Sequence, residues 1–211
     1  VWIAQRELKA IFSTTIGWLV LAGYLLISGI FWSSMVSYYV VQSTDVIANP
    51  YAASNMNLTD YLLSPFFGNV SVVLLMVCPA ISMRMFSEDM KQRTMELLFT
   101  SPISTAEIVL GKFVGALGFV AVLLLCTAYV PLSLYAWGTP DLGALAGGYL
   151  SLLLSSAAII AMGLLFSAMT PNQIVALVLT FAGALGLWIL PWLSQDPDAL
   201  VAKLAITSAL A

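Results

Sequence analysis

Five stretches of the chain run for about twenty residues without Asp, Glu, Lys, Arg or His: 16–36, 65–83, 113–134, 147–169 and 173–193. At 1.5 Å per residue, helices of that length cross the hydrocarbon core of a bilayer. No period-two alternation runs through them, and a lipid-exposed segment must satisfy its own backbone polar groups, so they predict helices and not barrel strands. The first is too long for a cleavable signal peptide and lacks an A-x-A-like site, and four more follow it. The pattern predicts an all-α polytopic membrane protein with five transmembrane helices in one domain.

Shorter signals organise the rest. In VWIAQRELKAIF, residues 1–12, Ala4, Leu8, Ile11 and Phe12 share a face, with Gln5, Arg6 and Lys9 elsewhere. This predicts an amphipathic interfacial helix, and it reads equally as the frayed start of the first span. A capping residue followed by Pro recurs at Ser64-Pro65, Thr139-Pro140, Thr170-Pro171 and Asp196-Pro197, each predicting a helix start. Thr170-Pro171 also forces the last two spans into a tight hairpin. Pro79 falls inside the second span, where it removes a backbone hydrogen bond; it is a candidate hinge or simply a bend. Segment 37–64, with Tyr38, Tyr39, Asp45 and Asp60, reads as a polar outer loop, and 197–210 as an outer amphipathic segment.

Composition agrees with the pattern: 61% of residues are hydrophobic and 8% charged, with a mean hydropathy of +1.01. Charge placement adds the orientation. Arg6 and Lys9 precede the first span, and Arg84, Lys91, Arg93 and Lys112 lie between the second and third, so six of the seven basic residues fall on one side. The positive-inside rule makes that side, and the N-terminus, cytoplasmic. Cys78 and Cys126 lie within spans at no metal-ligand spacing and read as small hydrophobes.

The loop 84–112 is the one charged island between apolar runs. From Phe86 to Phe99 it follows a helical pattern, with Phe86, Met90, Thr94, Leu97 and Leu98 on one side and Glu88, Lys91, Gln92 and Glu96 on another. Asp89 and Arg93 stand at i and i+4, worth about 0.2 to 0.5 kcal/mol on an exposed helix. Pro102 ends that helix by biasing Ser101 out of helical dihedrals. Ser104-Thr105-Ala106-Glu107 is a capping box that starts the next one. Taken alone, the island could be a plain solvated loop; its stop and restart predict a rigid knob for a partner.

Catalytic chemistry has little to work with. The chain has no His, and no Asp or Glu lies within a span, which disfavours intramembrane metal chemistry and ion-coupled carriers. Residues 106–113 approach a phosphate-binding loop but carry Ala106 and Phe113 where the first Gly and the Ser or Thr belong. The expectation is a chain with no catalytic, metal-binding or cofactor-binding residue. Gly111 with Gly115, and Gly143 with Gly147, have the spacing of close helix packing.

The run from Met95 to Ser104, MELLFTSPIS, followed by EIVLGKF at 107–113, resembles the signature of ABC-2 type permeases. Residues 13–19 and Asn172 to Ala176 are similar in particular to the gliding-motility-associated branch. The resemblance implies a type V exporter-like helical bundle of six membrane helices, so a sixth is expected beyond residue 211. It implies a bacterial inner-membrane permease paired with a second permease subunit, like or unlike itself. Cytoplasmic ATPase subunits would bind ATP and Mg; lipid and an auxiliary outer-side protein complete the partners, with no nucleic acid. It also implies that Phe86 to Phe99 is a coupling helix seated in the ATPase. Glu88, Asp89, Arg93 and Glu96 would make its polar contacts, and Phe86, Met90, Met95, Leu97 and Leu98 would anchor it. The rival expectations are a membrane anchor for a cytoplasmic protein and an ion-coupled carrier.

Overall fold

The computed structural model describes residues 2–48, 59–91, 104–136 and 141–193. They form seven α-helices: α1 (Trp2–Ser13), α2 (Thr15–Ala48), α3 (Ser64–Ser82), α4 (Arg84–Lys91), α5 (Thr105–Leu132), α6 (Leu142–Met169) and α7 (Gln173–Leu193). A π-helical turn, Thr59–Leu63, leads into α3, and a 3-10 turn, Ser133–Ala136, follows α5. No strand occurs among the described residues, and five helical stretches are long and apolar enough to cross a membrane. The protein is an all-α polytopic membrane protein.

The interior is made by α3, α5 and α6. On α3, Phe66, Val70, Leu74 and Cys78 repeat every four residues and are buried, facing Phe119, Val120 and Leu123 of α5 and Leu152, Ile160 and Leu164 of α6. Aromatic rings stitch the far end: Trp32 meets Phe66 edge-on at 5.3 Å between centroids, and Phe67 meets Tyr149 at 5.2 Å. The Phe67 ring occupies the space a side chain at Gly148 would need, and Ser82 does the same at Gly163, so α3 and α6 approach closely at both ends. Gly147 faces open space and Gly143 meets only its own capping Asp141. That glycine pair therefore packs no helix among the described residues.

Helix ends follow local chemistry, with some shifts from expectation. Ser104 and Glu107 form the capping box, Glu107 N–H donating to Ser104 Oγ at 3.3 Å and Ser104 N–H to Glu107 Oε2 at 3.0 Å. Ser64 does not cap α3, because the chain is already helical through Leu63. The hairpin between α6 and α7 is tight, but Asn172 caps α7, its Oδ1 accepting from Ile174 N–H at 3.0 Å. Asp141 caps α6. The outer loop expected from residue 37 instead begins as helix: α2 continues to Ala48, about 51 Å in all. No Gly or Pro interrupts it between Gly29 and Pro50, and Ser33, Ser37 and Ser43 return their hydroxyls to carbonyls of their own helix. The segment 197–210 and the Asp196-Pro197 and Thr139-Pro140 starts lie outside the described residues.

Helix α1 turns its apolar face to its own bundle. That face lies on α5, where Gly111 meets Ile3, Gly115 meets Ala4 and Glu7, and Gly118 meets Leu8. Phe12 stacks against Phe119 at 5.2 Å. At the corner into α2 the Ile11 carbonyl stands where Gly17 would carry a Cβ, and Trp18 Nε1 donates to Phe12 O at 2.9 Å. A methyl group at Gly115 would sit 2.8 Å from Glu7 Cβ, which must then shift, and would crowd the Ala4 carbonyl oxygen at 3.3 Å. Gly115→Ala is expected to lift α1, raising hydrogen exchange across residues 2–13 while α3 and α6 stay protected; unchanged exchange in α1 would show that the glycine seat is not needed.

Candidate functional site

The charged side chains collect where α1, α4 and the start of α5 meet. Pro79 lies buried in α3, which stays helical through it to Ser82, Met83 N–H donating to Pro79 O at 2.9 Å. The interruption falls at Met83, one turn beyond Pro79, and α4 resumes at Arg84. A helix of eight residues is too short to hold itself together in isolation, so α4 depends on what it touches.

It is held at two points. The first is Lys112, whose side chain is 3% exposed. Its Nζ donates to the Met85 carbonyl oxygen at 2.6 Å and pairs with Asp89 Oδ2 at 2.7 Å on α4 and with Glu7 Oε1 at 3.2 Å on α1. It also lies 5.3 Å from the centre of the Phe86 ring. Arg6 completes the group, 3.1 Å from Glu7 Oε1, so two cations balance two carboxylates. Beside them a cleft of about 400 Å³ opens between α1, the start of α2 and α4, with Arg84 and Glu88 on its polar wall and Ile16, Val20 and Ile81 on its apolar one.

The second anchor is Ser167 near the end of α6. Its Oγ accepts the N–H groups of Phe86 at 3.1 Å and Ser87 at 3.0 Å, which the first turn of α4 cannot satisfy internally, and donates to Met83 O at 3.0 Å. Ser87 returns the favour: its Oγ donates to Thr170 O at 2.8 Å, satisfying a terminal carbonyl of α6. One serine thus caps a helix that is 80 residues away in sequence. Both serines are fully buried.

This geometry sorts the residues expected to meet a partner. Phe86 is 5% exposed and packs in the core of its own bundle. Asp89 turns inward to Lys112, a partner that its spacing to Arg93 does not reveal. The reason is the same for both: the apolar face of α4 covers the bundle and carries Asp89 with it. Glu88 and Met90 are partly exposed and Lys91 is exposed. Arg93, Met95, Glu96, Leu97 and Leu98 lie outside the described residues. Glu7, Lys112 and Ser167 were not singled out from sequence. Glu7 had a signal, an acid on the apolar face three residues after Ala4; Ser167 had none.

Nothing in this cluster resembles a nucleophile with its base, and no group of three or more His, Cys, Asp or Glu able to hold a metal occurs among the described residues. The arrangement balances charge and ties α4 to α1, α5 and α6. A bundle of membrane-crossing helices with charged residues on α1, on α4 and at the start of α5 defines an integral membrane protein with polar machinery at one end. The family model described as "ABC-2 family transporter protein" matches residues 1–194. The chain therefore belongs to the ABC-2 transporter family and is a membrane transport component. No curated protein and no solved structure gives a match.

Replacing Lys112 by Met would remove the cation that Glu7 and Asp89 share and strand the Met85 carbonyl, leaving Glu7 with Arg6, at a cost of about 1 to 3 kcal/mol. Ser167→Ala would strand two N–H groups and a carbonyl, costing about 1 to 3 kcal/mol. Denaturant titration of the detergent-solubilised protein reads both losses, and Lys112→Arg should recover part of the first. Wild-type stability in Lys112→Met would show that the buried charges do not depend on one another.

Proposed function

We propose that this chain is the membrane-spanning permease subunit of an ATP-driven exporter, worked by a separate cytoplasmic ATPase that docks on the segment following α4. The observation that supports this reading is the double anchoring of α4. The helix leads directly into residues 92–103, and it is tied through Lys112 to α1 and α5 and through Ser167 to α6. A push delivered beyond Lys91 would therefore pass from α4 to three other helices at once, as a mechanical input to a transporter requires.

In this reading Phe86 and Asp89 transmit the motion and do not meet the ATPase. The contacts fall to Arg93 and Glu96 as charges and to Met95, Leu97 and Leu98 as apolar anchors, with Glu88 and Met90 on the flank. Pro79 and the break at Met83 form the compliant joint between α3 and α4. ATP and Mg belong to the partner, a second permease subunit completes the pathway, and the charged end faces the cytoplasm of a bacterial inner membrane.

The test uses the full-length protein in detergent with the ATPase encoded beside it. The paired reversal Arg93→Glu with Glu96→Lys should weaken binding about tenfold or more and abolish any change in ATP hydrolysis, with thermal stability unaltered. Binding and stimulation that survive the reversal would remove the docking assignment. Binding that ignores nucleotide, with no transport, would favour an anchor; transport that survives ATP depletion and collapses with an ion gradient would favour a carrier.

A further inference from the structure

The cleft of about 400 Å³ beside Lys112 has a size common among small-ligand sites. It lies at the level where α2 begins and α3 ends. Ile16 and Val20 come from the first turns of α2, Ala80 and Ile81 from the last turn of α3, and Arg6, Ala10 and Ile11 from α1. One wall is thus apolar and the other charged. Ile16 is exposed, as are Trp18 and Leu19 beside it, so the apolar wall passes into the outer surface of a helix long enough to cross a membrane. The cleft joins a lipid-facing surface to the charged end of the bundle.

Three basic residues line it: Arg6, Arg84 and Lys112. They are not alike in what they hold. Lys112 is taken up by Glu7, Asp89 and the Met85 carbonyl. Arg6 reaches Glu7 through one nitrogen, at 3.1 Å. Arg84 is half-buried and makes no ion pair among the described residues. A guanidinium carries five N–H donors in a planar fork that matches two oxygens of a phosphate, and it is more weakly hydrated than an ammonium. Beside an apolar wall at a bilayer boundary, the oxyanion that arrives with its own hydrocarbon is the phosphodiester of a phospholipid.

We propose that the cleft between α1, α2 and α4 holds the headgroup of one membrane glycerophospholipid, its phosphodiester on Arg84 with Arg6 beside it and the start of its chains along Ile16, Val20 and Ile81. A free phosphate could meet the same arginines, but it would leave the apolar wall uncovered. Arg84 is the first residue of α4, directly after the break at Met83. The lipid is therefore a third tether on this helix, and the one that ties it to the bilayer itself. The site stands whether or not an ATPase docks beyond Lys91.

The test titrates the full-length protein, stripped of lipid in detergent, with dioleoyl phosphatidylglycerol, with dioleoylglycerol or with inorganic phosphate, and counts the molecules retained by native mass spectrometry. One phosphatidylglycerol per chain should be held at least about tenfold more tightly than dioleoylglycerol, which lacks the phosphate. Arg84→Gln should weaken that binding about tenfold, and Arg84→Lys should fall between the two. Lys91→Gln, exposed on the same helix and outside the cleft, should leave it unchanged. The thermal midpoint of Arg84→Gln without lipid should match the wild type, since Arg84 pairs with no carboxylate among the described residues. Equal losses in Arg84→Gln and Lys91→Gln would reduce the effect to general attraction between basic residues and an anionic lipid and overturn the proposal. Displacement of the lipid by inorganic phosphate would make the cleft a free-anion site and overturn it as well. Retention that survives Arg84→Gln also overturns it, and if ATPase binding falls instead, the cleft seats a protein.

Discussion

A lysine ammonium buried to 3% exposure is the constraint from which the charged end of this protein takes its form. Removing that charge from water costs several kcal/mol, and the cost is offset only when carboxylates and a carbonyl surround it closely. Lys112 sits one residue after Gly111, on the turn of α5 that α1 and α4 both cover. Neither covering helix can supply enough alone: α1 brings Glu7, and α4 brings Asp89, the Met85 carbonyl and the face of Phe86. The glycines of α5 follow from this, because Glu7 reaches Lys112 only if α1 lies directly on the helix backbone.

The break at Met83 follows in turn. An uninterrupted α3 would keep its course along the bundle, whereas the interruption frees N–H and carbonyl groups that must then find partners. Ser167 meets three of them with a single hydroxyl, an economy open only to a side chain placed at the joint itself. The two anchors act on neighbouring residues of α4, Met85 to Asp89, and on different neighbours. A short helix with poor intrinsic stability becomes a firm part of the molecule by being shared.

The apolar runs and the capping box were legible because each is a local signal: a run without charge, or a serine with a glutamate three residues on. The extension of α2 was legible in principle from the absence of Gly and Pro after Gly29, but tyrosines and serines have the polarity of a loop even where the backbone runs on as helix. The inward turn of Phe86 and Asp89 was not legible. Periodicity separates the faces of a helix, yet cannot say whether the apolar one meets its own bundle or a partner. Lys112 and Glu7 are 105 residues apart, and either alone looks like an ordinary cytoplasmic charge. Ser167 is one serine among many until its position against Met83 is known.

The distance in sequence between Glu7 and Lys112 also sets an order of events during synthesis. When α1 emerges, its seat on Gly111 and Gly115 is still 105 residues from being made, roughly 5 to 20 s at ribosomal rates. Until the third span is made, Glu7 and the apolar face of α1 lack the partners that cover them in the finished fold, so α1 can take its final place only after Lys112 has been added.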